Sequence, residues 1–121
     1  MNRVFTLRQA GDTLPLVRNI VSDILKTGQS IRELSVEMEK PEDDPEINRL
    51  MDQLDELFEE MESLGCFYRD WNFTVGLVDF PSKVNGRDVM LCWKSDEARI
   101  EYYHDSEEGF AGRRPIPREL K

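Results

Sequence analysis

Hydrophobic positions in the first half of the chain recur at helical spacing, whereas those in the second half alternate. Val17, Ile24, Ile31 and Met38 lie seven residues apart, with Ile20 and Leu34 on the same stripe. This predicts a long helix from about Thr13 to Glu39 with a coiled-coil-like seam. Ahead of it, Thr6 followed by Gln9 is a capping-box pattern, read as opening a short helical turn that Gly11 closes. Asp12 or Thr13 then starts the long helix, with Pro15 in its first turn, where backbone N–H groups lack internal partners. Thr27 and Gly28 interrupt the seam and leave a narrow place for a partner helix or a bend. The segment "KPEDDP" ends the pattern. Asp44 caps a second helix with Pro45 at its first position, and Ile47, Leu50, Leu54, Leu57, Met61 and Leu64 carry the stripe to Gly65. Two helices of roughly 27 and 20 residues joined by so short a link predict an antiparallel hairpin. Leu25, Met51 and Phe58 widen the stripes beyond what one helix pair buries, so a sheet or a second subunit is expected to cover the remainder.

After Gly65 the period becomes two. "CFYRDW", "TVGLVDF", "DVMLCWK" and "RIEYYH" read as four strands rich in aromatic and β-branched residues. "PSKVNGR" joins the middle pair, with Asn85-Gly86 supplying a tight hairpin turn, and "SDEA" is the next turn. Short connections make neighbouring strands antiparallel. Alternation puts Val75, Leu77 and Asp79 on one face and Gly76, Val78 and Phe80 on the other, while Val89, Leu91 and Trp93 oppose Met90 and Cys92. One side of the sheet is therefore expected against the helices and the other against the tail or another subunit. The expected class is α+β: a long antiparallel, coiled-coil-like hairpin over about residues 6–65, then a small antiparallel meander and tail over 66–121. The 121 residues, 39% of them hydrophobic, suffice for one modest core and one domain.

Charge refines this picture. Residues 37–62 hold twelve acidic and two basic residues, so the net −9 is local and the remainder sums to +1. A solvated helix face accounts for such a run, and it disfavours nucleic acid as a partner, since binding phosphates needs clustered Lys and Arg. No apolar run approaches the roughly 20 residues that cross a bilayer, and the amino terminus lacks the apolar core of a signal peptide, so a cytoplasmic protein without membrane contact is expected. Cys66 and Cys92 stand far apart with no CxxC, and read as buried thiols rather than a disulfide or zinc framework.

"FTLRQAGDTLPLVR" near the start, "GLVDFP" in the middle, and "CW", "YYHD" and "GFAGRRPI" toward the end closely resemble the uncharacterised prokaryotic family named domain of unknown function 2203. The resemblance covers nearly the whole chain in order. It implies a charged helical hairpin followed by strands ending in a glycine-arginine motif, and brings no established activity, cofactor or catalytic residue with it.

Candidate chemistry concentrates in "YYHDSEEGFAGRRPIP". Gly109 and Gly112 allow a tight fold that turns backbone amides toward one point, and Arg113 and Arg114 add planar donors suited to carboxylate or phosphate. The expectation is a small-anion pocket formed by His104, Arg113 and Arg114, with Asp79 nearby and Trp93 and Tyr102 or Tyr103 as walls. The competing use of the same residues is structural: Arg113 clamps Asp79 or an acidic residue of the second helix, and Phe110 plugs the sheet. An enzyme, hydrolase-like or metal-assisted, using His104 with Asp79 and the Arg113/Arg114 pair, is the alternative. It lacks a nucleophile-elbow serine or a cysteine in an activating context. His104, Asp105, Glu107 and Glu108 offer a run in one loop rather than converging ligands, so no metal or other cofactor is expected. The overall expectation is a binding or scaffolding module acting as a homodimer through its helices.

Overall fold

A computed structural model of the chain describes residues 3–118. Helix α1 spans Leu7–Ser35 and α2 spans Pro45–Ser63, with a 3-10 turn at Pro41–Asp43 between them. Strands β1 (Phe67–Tyr68), β2 (Leu77–Val84), β3 (Arg87–Lys94) and β4 (Tyr102–Asp105) follow, then a second 3-10 turn at Phe110–Gly112 and β5 (Arg114–Pro115). Among the described residues the strands form one antiparallel sheet in the order β1-β2-β3-β4-β5. The class is α+β, as the change of period predicts. No helix of the described residues is long and apolar enough to cross a membrane.

The capping box is present: the Thr6 hydroxyl accepts from the Gln9 amide at 3.0 Å, and the Gln9 side chain accepts from the Thr6 amide at 2.9 Å. The helix it opens does not stop at Gly11 but continues as α1, so the expected second start is absent. Pro15 sits inside the helix and deprives the Gly11 carbonyl of its helical donor. Gly11 is exposed, and water can take the donor's place. The helix also ends earlier than Glu39. Glu37 and Glu39 are like charges at the negative end of the helix dipole, and the Ser35 hydroxyl bonds back to the Ile31 carbonyl, competing with the helical pattern. At α2 the Asp44 carboxylate accepts from the Ile47 amide at 3.0 Å, Pro45 follows it, and Gly65 closes the helix with φ +88°.

The close approach expected at Gly28 comes from elsewhere than a helix. A Cβ there would lie 2.4 Å from the ring of Phe73, which fills the gap. Phe73 is placed by Asp70, whose buried carboxylate accepts from the amides of Asn72, Thr74 and Val75 at 3.0–3.1 Å. That loop also explains why β2 begins at Leu77 rather than Thr74. At its other end β2 runs through Pro81 to Val84, further than the alternation predicts. The Pro81 carbonyl faces away from β3 and accepts from the Phe5 amide at 2.7 Å, so the missing Pro81 N–H would also have pointed to that side and costs no bond to β3. Asn85 and Gly86 close the hairpin with φ 52° and 79°, as a two-residue turn of the mirror-image type requires.

Val78, Phe80, Leu91 and Trp93 on one face of the sheet are buried in a common core with Val17, Val21 and Ile24 of α1 and Leu54 and Met61 of α2. The indole N–H of Trp93 donates to the Glu97 carbonyl at 2.9 Å, which satisfies the polar end of the core's largest fully buried side chain. At Gly76, just ahead of β2, the backbone lies close against α1, since a Cβ there would lie 2.3 Å from Val21. Leu25, Leu57 and Phe58 pack against this core half-buried, so the sheet supplies much of the cover that the broad helical stripes require.

Candidate functional site

The face of the sheet turned away from the helices carries Phe67, Asp79, Cys92 and Tyr102 in one cross-strand row, because β1 to β4 pair them in that register. Asp79 and Cys92 face each other as a non-hydrogen-bonded pair, by the same alternation that turns the Pro81 carbonyl outward. In such pairs the side chains approach most closely. His104 lies two residues along β4 from Tyr102, opposite Met90, and so on the same face and diagonal to Cys92.

These three polar side chains are buried although they lie on the face turned away from α1 and α2: Asp79 is 5%, Cys92 2% and His104 2% exposed. Nε2 of His104 lies 3.1 Å from Oδ1 of Asp79, and Nδ1 lies 2.9 Å from the carbonyl oxygen of Asp105. Arg69, half-exposed at the margin, donates from Nε to Oδ2 of Asp79 at 3.3 Å, so each carboxylate oxygen has a partner. A carbonyl oxygen only accepts, so Nδ1 carries the proton of that contact. The Nε2–Oδ1 contact then needs a further positive centre between two lone pairs. Burial, followed by the neighbouring Asp79 carboxylate, pushes the Cys92 thiol up to about 11, and burial pushes Cys66 up to about 12. Neither is an activated nucleophile in this state.

Above the three residues lies an open cavity of about 450 Å³, floored by Asp79, Cys92 and His104, flanked by Arg69 and bounded by the 106–110 segment. His104 and Asp79 of the expected anion set line it, but the two arginines do not converge on it. Arg113 is the inward clamp of the tail: it pairs with Glu97, donates to the Cys92 carbonyl at 3.1 Å and stacks over Tyr102 and Phe110 at 4.3 and 5.0 Å. Glu97 thus occupies the role foreseen for Asp79 or an α2 carboxylate. Arg114 points the other way, pairing with Asp105 and Glu108 at 3.2 and 3.1 Å and lying over Tyr103. Trp93 and Tyr103 belong to the core side of the sheet. "GFAG" forms a 3-10 turn in which neither Gly109 nor Gly112 takes a positive φ, and at Gly112 the space is used by the Glu108 side chain.

The structure therefore brings together His104 and Asp79 of the expected set, and adds Cys92 and Arg69. A signal for Cys92 exists in the chain: a two-residue turn at Asn85-Gly86 pairs residue 79 with residue 92, and alternation then puts both side chains on one face. Arg69 carries no comparable signal, because β1 is only two residues long and Arg69 lies just past it.

These features define a small α+β protein whose outer sheet face holds a buried Asp-Cys-His cluster beneath an open cavity. The chain belongs to the family described as "Uncharacterized conserved protein (DUF2203)", whose family model matches residues 3–116. No curated protein and no solved structure matches it.

The unequal engagement of the two arginines gives a direct expectation. Arg113, whose side chain is 13% exposed, loses an ion pair, a carbonyl contact and two aromatic faces on truncation. Arg113→Ala should lower stability by about 2 kcal/mol in urea unfolding. Arg114→Ala, at a 42% exposed side chain, should leave the midpoint near wild type. Equal losses would contradict this assignment of roles.

Proposed function

We propose that the protein is a binding module whose ligand site is the cavity on the outer sheet face. The observation that carries this reading is the buried His104–Asp79 pair opening into that cavity with Arg69 beside it. Buried ionisable groups are kept at a cost, and where they face a concave opening they serve recognition or chemistry more often than stability. The rim adds Glu107 and Glu108, and the flank adds the Arg69 guanidinium, so the surroundings present both acceptors and donors. They suit a small polar molecule carrying groups of both kinds. The ligand site moves accordingly from the "GFAGRRP" segment to the sheet face, because both arginines of that segment are held by the protein's own carboxylates. Proton transfer to a bound ligand is within the chemistry of the His104–Asp79 pair, which is the enzymatic form of the same proposal.

A panel of amino acids, dicarboxylates and small amines, followed by backbone amide shifts, tests the site. Binders should perturb Arg69, Ser106 and Gly109 together. A panel that perturbs none of them, or only residues elsewhere, would contradict the reading.

Self-association through the helices is a second reading, favoured by the apolar side chains that the sheet leaves uncovered, Leu34 of α1 at 39% and Met51 of α2 at 44% exposed. Light scattering at high protein concentration should then give twice the monomer mass, and Met51→Glu should return the monomer mass. A monomer at every concentration would contradict it.

A further inference from the structure

The three residues at the floor of the cavity differ in type, come from three different strands and meet at one point. Asp79 offers a carboxylate oxygen, Cys92 a sulfur and His104 an imidazole nitrogen, all within 4.8 Å of one another and all buried. From this convergence we infer that Asp79, Cys92 and His104 form a site for a transition-metal dication of the zinc type, with its fourth position open to the cavity.

The donor set is the first argument. A thiolate and an imidazole favour a borderline-soft dication over magnesium or calcium, which take all-oxygen shells, and a single carboxylate completes a neutral or near-neutral complex. Distances are the second. Tetrahedral bonds of about 2.0–2.3 Å place neighbouring donors roughly 3.3–3.6 Å apart. The His104–Asp79 separation of 3.1 Å is already close to that, and the 4.8 Å limit leaves the sulfur within a small side-chain adjustment.

The surrounding hydrogen bonds are the third. A ligating histidine characteristically donates its other N–H to a carbonyl or carboxylate, which fixes the tautomer and aims the free lone pair at the metal. His104 has this arrangement, with Nδ1 on the Asp105 carbonyl and Nε2 facing Asp79. Arg69 holds the second oxygen of Asp79 and so presents the first one to the cluster. The positive centre that the Nε2–Oδ1 contact requires is a proton in the free protein, and the ion takes its place. On binding, the Cys92 thiol proton and the proton of the His104–Asp79 contact leave to solvent, while sulfur, nitrogen and oxygen lone pairs form the three bonds.

With three protein donors the shell is incomplete, and all three residues line the cavity, from which a fourth donor can come. Water, or an oxygen or nitrogen atom of a bound molecule, completes it. This goes beyond the small-molecule reading and does not depend on it, since the metal can be tested with no organic ligand present. Residues near one another in sequence give no hint of the site, because the register alone assembles it.

Cobalt is the probe. Protein stripped with chelator and titrated with Co2+ should bind one equivalent, with a thiolate-to-cobalt band in the near ultraviolet and strong visible bands of a four-coordinate ion; Zn2+ should erase both. Cys66→Ser should keep the bands and Cys92→Ser should lose the near-ultraviolet one. Arg69→Gln, at a half-exposed position, should weaken binding by about tenfold to a hundredfold. Should Cys92→Ser fail to fold, paramagnetic broadening in the wild-type protein decides: it should centre on amides flanking Asp79, Cys92 and His104. Absence of the thiolate band in wild type, its survival in a folded Cys92→Ser protein, or broadening centred elsewhere would each overturn the inference.

Discussion

The register of the β2–β3–β4 ladder is the constraint on which everything else depends. Side chains along a strand alternate between faces, so a slip of one residue would exchange the buried core of β2 or β3 for its outer row. In the observed register Val78, Phe80, Leu91 and Trp93 meet the helices while Asp79, Cys92 and His104 meet one another. The turn at Asn85-Gly86 sets the first pairing, because positive φ at two successive residues is available at little cost only to such residues. The hydrophobic face then enforces it against a one-residue slip, which would turn the core side chains of one strand outward.

The two sides of the sheet are held by different forces. On the core side, apolar burial dominates, and its polar interruptions are locally satisfied, as the Trp93 indole is by Glu97. On the outer side neither α1 nor α2 is present; the 106–110 segment borders the cluster, and the chain then returns as β5 beside β4 and is clamped by Arg113. Glu97 links the two sides: its carbonyl accepts from Trp93 and its carboxylate pairs with Arg113. The tail beyond that segment is therefore anchored to the same turn that seals the core.

Much of the frame is legible in the sequence. The cap at Thr6, the cap and proline at Asp44-Pro45, the stop at Gly65 and the turn at Asn85-Gly86 are local chemistry, and each works where its residues stand. The features that escape sequence reasoning are those decided by tertiary partners. Pro81 belongs to a strand because Phe5 supplies a donor from the far end of the chain, and Gly28 is small because Phe73 comes to rest on it. The candidate site follows the same division. His104 and Asp79 stand out as titratable residues on strands, but Cys92 joins them only once two strand pairings are combined. Arg113 and Arg114 look like a ligand-binding pair until strand alternation sends them to different carboxylates.

The register itself is open to a single spectroscopic test. In a non-hydrogen-bonded antiparallel pair the two Hα atoms come into close contact, so nuclear Overhauser spectra should show a strong Hα–Hα cross-peak between Asp79 and Cys92, with matching peaks for Leu77–Lys94 and Pro81–Met90. Cross-peaks displaced to any other pairing would separate Asp79 from Cys92 and contradict both the core assignment and the site built on it.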